Sequence, residues 1–171
     1  VSTLTAAVCD TLADENRRRP LFRLPQLGIG KHKVDGFIVH EGRIGLADPE
    51  RFAERPLDIL RLLEIADQQG LEIRPQALRA AKRDVRGLEP AKREDPEAMQ
   101  RLVRLITEAR TPARALAKLN DIGALGRLVP EFGRIVALMQ HNLYHVYTVD
   151  EHTIRVIGEL DAIEAGERPR E

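Results

Sequence analysis

Apolar residues recur at helical spacing along most of the chain. Leu4, Val8 and Leu12 fall four apart on one side of a helix over residues 1 to about 16. In "RPLDILRLLEIADQQG", Ile59, Leu62, Leu63 and Ala66 sit at i, i+3, i+4 and i+7, and Gly70 is placed to end that helix. A shorter helix is predicted over Pro75–Val85. Asp95–Pro96 opens another, whose stripe would be Met99, Leu102, Val103 and Ile106, with Met99 as core filler. "TPARALAKLNDIGALGRLVPEFGRIVALMQ" supplies further short helices, opened by Pro112 and Pro130 and closed by Asn120, Gly123 or Gly126.

One stretch breaks this period. In "GFIVHEGRIGLADP", the β-prone runs Phe37–His40 and Arg43–Leu46 flank Glu41–Gly42, where Gly42 supplies the positive φ of a tight turn. A single hairpin is expected over about residues 36–47, packed on helices because a lone hairpin is marginal in water. Asp48–Pro49 is expected to cap and start the next helix. Residues 17–35, rich in Pro, Gly and basic side chains, read as a linker. The fold class is therefore mainly α: a compact array of short helices with one β-hairpin.

Composition agrees. The chain has 171 residues, enough for one well-cored domain. It has no Trp and only 4% aromatic residues, so Leu, Ile, Val and Ala must build the core. Lys plus Arg and Asp plus Glu number 27 each, a balance without the basic excess that nucleic-acid binding draws on. The local runs "NRRRP" (Asn16–Pro20) and "RAAKRDVR" (Arg79–Arg86) can bind anions, but read first as solvated helix faces and ends. Cys9 is the only cysteine, which excludes an intrachain disulfide and a thiolate zinc site; a small core residue is its expected role. No apolar run is long enough for a membrane-spanning helix and no signal pattern opens the chain, so a cytoplasmic setting is expected. Both ends read as cut from a longer protein, since Val1 falls within a helix already under way and "GERPRE" stops at a polar break.

Two stretches invite a chemical reading. "GIGK" (Gly28–Lys31) is not a phosphate loop, because Pro25 and His32 stand where that motif needs Gly and Ser or Thr. "LYHVYTVDEHTIRVI" (Leu143–Ile157) holds His145 and His152, with His141 just upstream. Thr148–Glu151 has the pattern of a capping box, and Asp150 and Glu151 suit the positive end of a helix dipole. A helix from about Val149 to Ala165 would bury Val156, Ile157, Leu160 and Ile163. His152, one turn in and on the side of Val149 and Val156, is then either a metal ligand or a core histidine bonded to a carbonyl. His141 and His145 would share a face only if their segment were helical, and spacing takes the metal reading no further.

The same stretch closely resembles the opening of the HD domain in bacterial PII uridylyltransferase/uridylyl-removing enzymes. "GFIVHEGRIGLADPERFAERPLDILRLLEIADQQGLEIRP" and "TPARALAKLNDIGALGRLVPEFGRIVALMQ" resemble the helical region between that enzyme's nucleotidyltransferase and HD domains, and "VSTLTAAVCDTL" resembles the helix before it. The resemblance implies that residues 1–16 end a helix from an upstream nucleotidyltransferase domain. It implies further that 36–140 form the inter-domain helical region and that 141–171 begin a truncated HD domain. It also implies a bifunctional parent enzyme that uridylylates PII from UTP, removes the uridylyl group, and responds to glutamine. Its HD domain would hold a divalent metal, Mg or Mn. In that family the metal takes a His, a later His-Asp doublet and a further Asp. His152 matches the first ligand, and His145 is assigned nothing firmer than a supporting or substrate contact. No His-Asp dipeptide occurs in this chain, so the site is expected to be incomplete and the chain inactive and metal-free alone. Two rival readings remain: a non-catalytic helical scaffold, and a piece of another nucleotidyltransferase–HD phosphohydrolase such as a tRNA-end-adding enzyme.

Overall fold

A computed structural model describes residues 31–88, 95–136 and 148–166. The expected first helix with Cys9, most of the 17–35 linker, and His141 and His145 lie outside these residues. The described part is mainly helical, with a small sheet at one end. The hairpin formed by β2 (Phe37–His40) and β3 (Arg43–Leu46) is present, with Phe37 opposite Leu46 and His40 opposite Arg43.

The sheet is larger than one hairpin. His32–Val34, expected as linker, form β1 and pair antiparallel with β2. The signal lies in "VDGF": Asp35 and Gly36 both take positive φ (51° and 82°), as do Glu41 and Gly42 (53° and 71°). Both turns therefore have the primed geometry whose twist matches that of paired strands, and Asp-Gly is among its strongest sequence marks. A fourth strand, β4 (Glu72–Ile73), joins β3 in parallel, giving the order β1-β2-β3-β4. Two residues carry too little pattern to announce a strand. What places them is the helical crossover α1 (Arg51–Glu54) and α2 (Asp58–Gln68).

Asp48 and Pro49 do not open α1 as expected. Asp48 instead accepts the Glu50 N–H at 3.0 Å, closing a turn, and the helix begins at Arg51. Arg51 then fastens the sheet to the helices. Its guanidinium lies 4.5 Å from the centre of the Phe37 ring, donates to the Asp35 carbonyl at 2.8 Å, and pairs with the buried Asp58 at 2.6 Å. Phe37 and Phe52 meet at 6.5 Å between ring centres.

The inward face of α2 is the predicted one, with Ile59, Leu62, Leu63 and Ala66 all buried, and Gly70 ends the helix with φ of 62°. α3 (Pro75–Asp84) runs into a 3-10 turn at Val85–Gly87. α4 (Pro96–Thr107) opens as expected, the Asp95 carboxylate accepting from the Glu97 N–H at 2.9 Å. Its buried stripe is Ala98, Leu102 and Leu105, of which only Leu102 belongs to the predicted set; Val103 is 53% exposed, Ile106 is also exposed, and Met99 packs partly against the core. Arg101, paired with Glu97 and Glu64, sets that roll by tying the polar side of α4 to α2.

α5 (Pro112–Asp121) is capped from a distance. The Asp67 carboxylate on α2 accepts from the N–H groups of Arg110 (2.5 Å) and Thr111 (3.0 Å) and from the Thr111 hydroxyl (2.8 Å). The short helices α6 (Leu125–Leu128) and α7 (Pro130–Ile135) follow. Gly126, expected to close a helix, lies inside α6. A Cβ there would stand 2.9 Å from the Gly133 Cα, so its bareness permits α6 and α7 to cross closely. The last described helix is α8 (Val149–Glu164).

Candidate functional site around His152

α8 is positioned by α5. Gly158 faces Ala113 so closely that a Cβ on it would lie 2.9 Å from the Ala113 Cβ. Ile154 is buried in the common core and Ile157 packs against it. The first turn is fixed by Asp150, only 5% exposed, whose carboxylate accepts from Asn120 Nδ2 at 2.7 Å. A buried carboxylate is stable only when hydrogen-bonded, so this contact pins the start of α8 to the end of α5.

That geometry revises the capping reading. Thr148 occupies the N-cap position, but its side chain makes no capping hydrogen bond. Asp150 serves tertiary packing instead of only the helix dipole. The Asn120–Asp150 pair is the feature that sequence reasoning missed; thirty residues separate its members, and neither is marked by a local motif.

The orientation of α8 also differs from expectation. The inward line is Asp150 and Ile154, with the predicted Ile157 partly buried beside them. Val156 and Leu160, predicted to be core, are 43% and 59% exposed. His152 is exposed too, and stands with Val156 and Leu160 at i, i+4 and i+8 on one outward stripe. It is therefore neither a core histidine nor bonded through its ring to a buried carbonyl. Its backbone N–H donates to the Thr148 carbonyl at 2.9 Å as an ordinary helical bond.

Close to this turn, the Asp121 carboxyl stands above its ordinary pKa. Desolvation against the packed helices is the main cause, although the residue as a whole keeps solvent contact; Lys118 and Lys82 oppose the shift and Glu151 adds to it. Among the described residues no group of three or more His, Cys, Asp or Glu side chains converges as a metal site. His152 thus brings one exposed side chain and, among the described residues, no converging ligand partners. No described helix is long and apolar enough to cross a membrane.

Comparison with known proteins supplies the family. Residues 37–128 match the family model described as the uridylyltransferase GlnD third domain. The bifunctional uridylyltransferase/uridylyl-removing enzyme of Azospirillum brasilense is 41% identical over 169 residues, which is 98% of this chain but 18% of that relative's length. No solved structure matches the chain. The family match spans β2 to β4 and helices α1 to α6, and the relative's similarity extends through α8. The chain therefore belongs to the GlnD family of bifunctional uridylyltransferase/uridylyl-removing enzymes.

Proposed function

We propose that this chain is the helical coupler of an enzyme that uridylylates PII from UTP, removes the uridylyl group, and shifts between the two in response to glutamine. In this reading residues 36–140 join the transferase and hydrolase parts, and 141–171 open the HD domain. The cytoplasm is the setting. One observation carries it: α8 has two apolar faces. Asp150, Ile154 and Ile157 dock it on α5, while His152, Val156 and Leu160 face outward. An isolated surface helix concentrates its apolar residues on one stripe. A helix apolar on two sides suits an element shared by two cores, one of them here and the other in sequence outside these residues.

His152 is then the first ligand of the hydrolase metal, Mg or Mn, carried on a helix whose other side is fixed in the coupler. This chain has no His-Asp doublet to supply the next ligands. It contributes placement, and is inactive alone. His145 is assigned a supporting contact to that hydrolase site.

The test uses the full-length enzyme. His152→Ala should lower uridylyl removal by at least about a hundredfold and reduce bound Mn by one equivalent, while transfer from UTP continues. Undiminished removal would overturn the assignment. Equal loss of both activities would also overturn it, by making His152 a structural residue.

A further inference from the structure

The arginines of "RAAKRDVR" are not all a solvated face. Arg79 and Arg83, together with Arg74, line a cleft of about 450 Å³ between the end of β3 and one side of α3. Gly45, Leu46 and Pro49 form one wall; Gln76, Ala77 and Ala80 complete the other. The volume lies in the range of small-molecule sites, roughly 300–1,000 Å³. Every charged side chain lining it is an arginine.

The three guanidiniums differ in how they are held. Arg83 is spoken for. It donates to Asp84 at 2.8 Å and to the Pro49 carbonyl at 2.9 Å, with Glu50 at 3.5 Å, and the Asp84 hydrogen bond is the leading influence that raises its pKa. It braces the Pro49 rim with its charge already balanced. Arg74 and Arg79 pair with no carboxylate among the described residues. Arg79 is exposed, whereas Arg74 has its Nε buried without a hydrogen-bond partner.

The fold makes room for Arg74 deliberately. Gly45 interrupts an otherwise β-prone strand at a buried position, and a Cβ there would lie 2.6 Å from the Arg74 Cδ. The Arg74 backbone is fixed as well, its N–H donating to the Ile44 carbonyl at 2.8 Å and its carbonyl accepting from Ala77 at 2.9 Å. A buried, unsatisfied donor on a positioned arginine calls for an explanation. Two uncompensated positive charges beside an apolar wall supply one: an anionic ligand of matching charge.

We propose that the Arg74–Arg79 cleft binds a small phosphorylated ligand. A phosphomonoester carries close to two negative charges near pH 7 and three acceptor oxygens, which suits two planar guanidiniums. Leu46, Pro49, Ala77 and Ala80 would take its apolar body. The inference is independent of the hydrolase reading of His152, because the cleft lies on the sheet side of the fold and shares no residue with α8.

The experiment is calorimetric titration of the full chain with pyrophosphate and inorganic phosphate as probes, at constant ionic strength, with succinate in parallel. One-to-one binding is expected for the phosphate probes, weakened at least roughly tenfold by Arg79→Gln and by Arg74→Gln, and unchanged by Arg134→Gln on α7. Arg74→Lys keeps the charge but not the fork and should also weaken binding. Circular dichroism checks the fold of each variant. Should the Arg74 variants fail to fold, the exposed Arg79 still decides the matter. Binding indifferent to Arg79→Gln would overturn the proposal. So would succinate binding as tightly as pyrophosphate, or no binding of either phosphate probe.

Discussion

At the sheet end, Phe37, Val39 and Ile44 turn inward onto Phe52 and the leucines of α2, whereas α8 divides its apolar residues between a docked face and an exposed one. The first region closes on itself. Its turns are set by Asp35–Gly36 and Glu41–Gly42, and Arg51 ties strand, turn and helix together through Phe37, Asp35 and Asp58. The second region is held to the described core by Ile154, Ile157 and the Asn120–Asp150 hydrogen bond. The difference teaches that a hydrophobic pattern shows how much surface a helix must bury, but not against how many neighbours.

Substitutions can break or sharpen that contrast. The largest expected effect is in the closed region. Phe52→Ala leaves a void among fully buried side chains and should cost about 4 kcal/mol in denaturant unfolding. Asp58→Ala comes next, because it strands the Arg51 guanidinium, and should cost about 3 kcal/mol. On α8 the two faces should part company. Ile154→Ala should cost about 2 kcal/mol, while Leu160→Ala, further along on the outward face, should stay within about 0.5 kcal/mol. Equal costs for the last two would remove the basis for an outward face awaiting a partner.

The smallest effect concerns Asp121. Its folded carboxyl has a raised pKa, so the charged form is disfavoured in the folded state. The stability tied to this group is full below the unfolded pKa, near 3.9, and is lost as pH rises through the higher folded value. Asp121→Asn should therefore raise the melting temperature slightly at pH 7 and lose that advantage below about pH 4. A variant with the same advantage at both pH values would disprove the electrostatic cause.

The amino-acid sequence by itself determined the local structure. Period 3.6 located α2, and Pro at the first helical position opened α3 to α5; Asp95 announced its own cap; Glu41–Gly42 announced a hairpin, and Asp35–Gly36 held the same information for a second. The His-containing stretch also pointed to the family in which the chain is now placed. Those signals act within a few residues, where backbone sterics and side-chain capping decide the outcome.

Tertiary structure decided what depends on distant partners. The parallel addition of β4 to β3, the capping of α5 by Asp67, the roll of α4 toward Ala98 and Leu105, and the pinning of α8 through Asn120 and Asp150 each join residues separated by tens of positions. The turn of His152 outward follows from the last of these. A helix with apolar residues on two sides can bury either one, and the close approach of Gly158 to Ala113 selects the face that docks. Local periodicity is degenerate between those choices; packing against a particular neighbour is not.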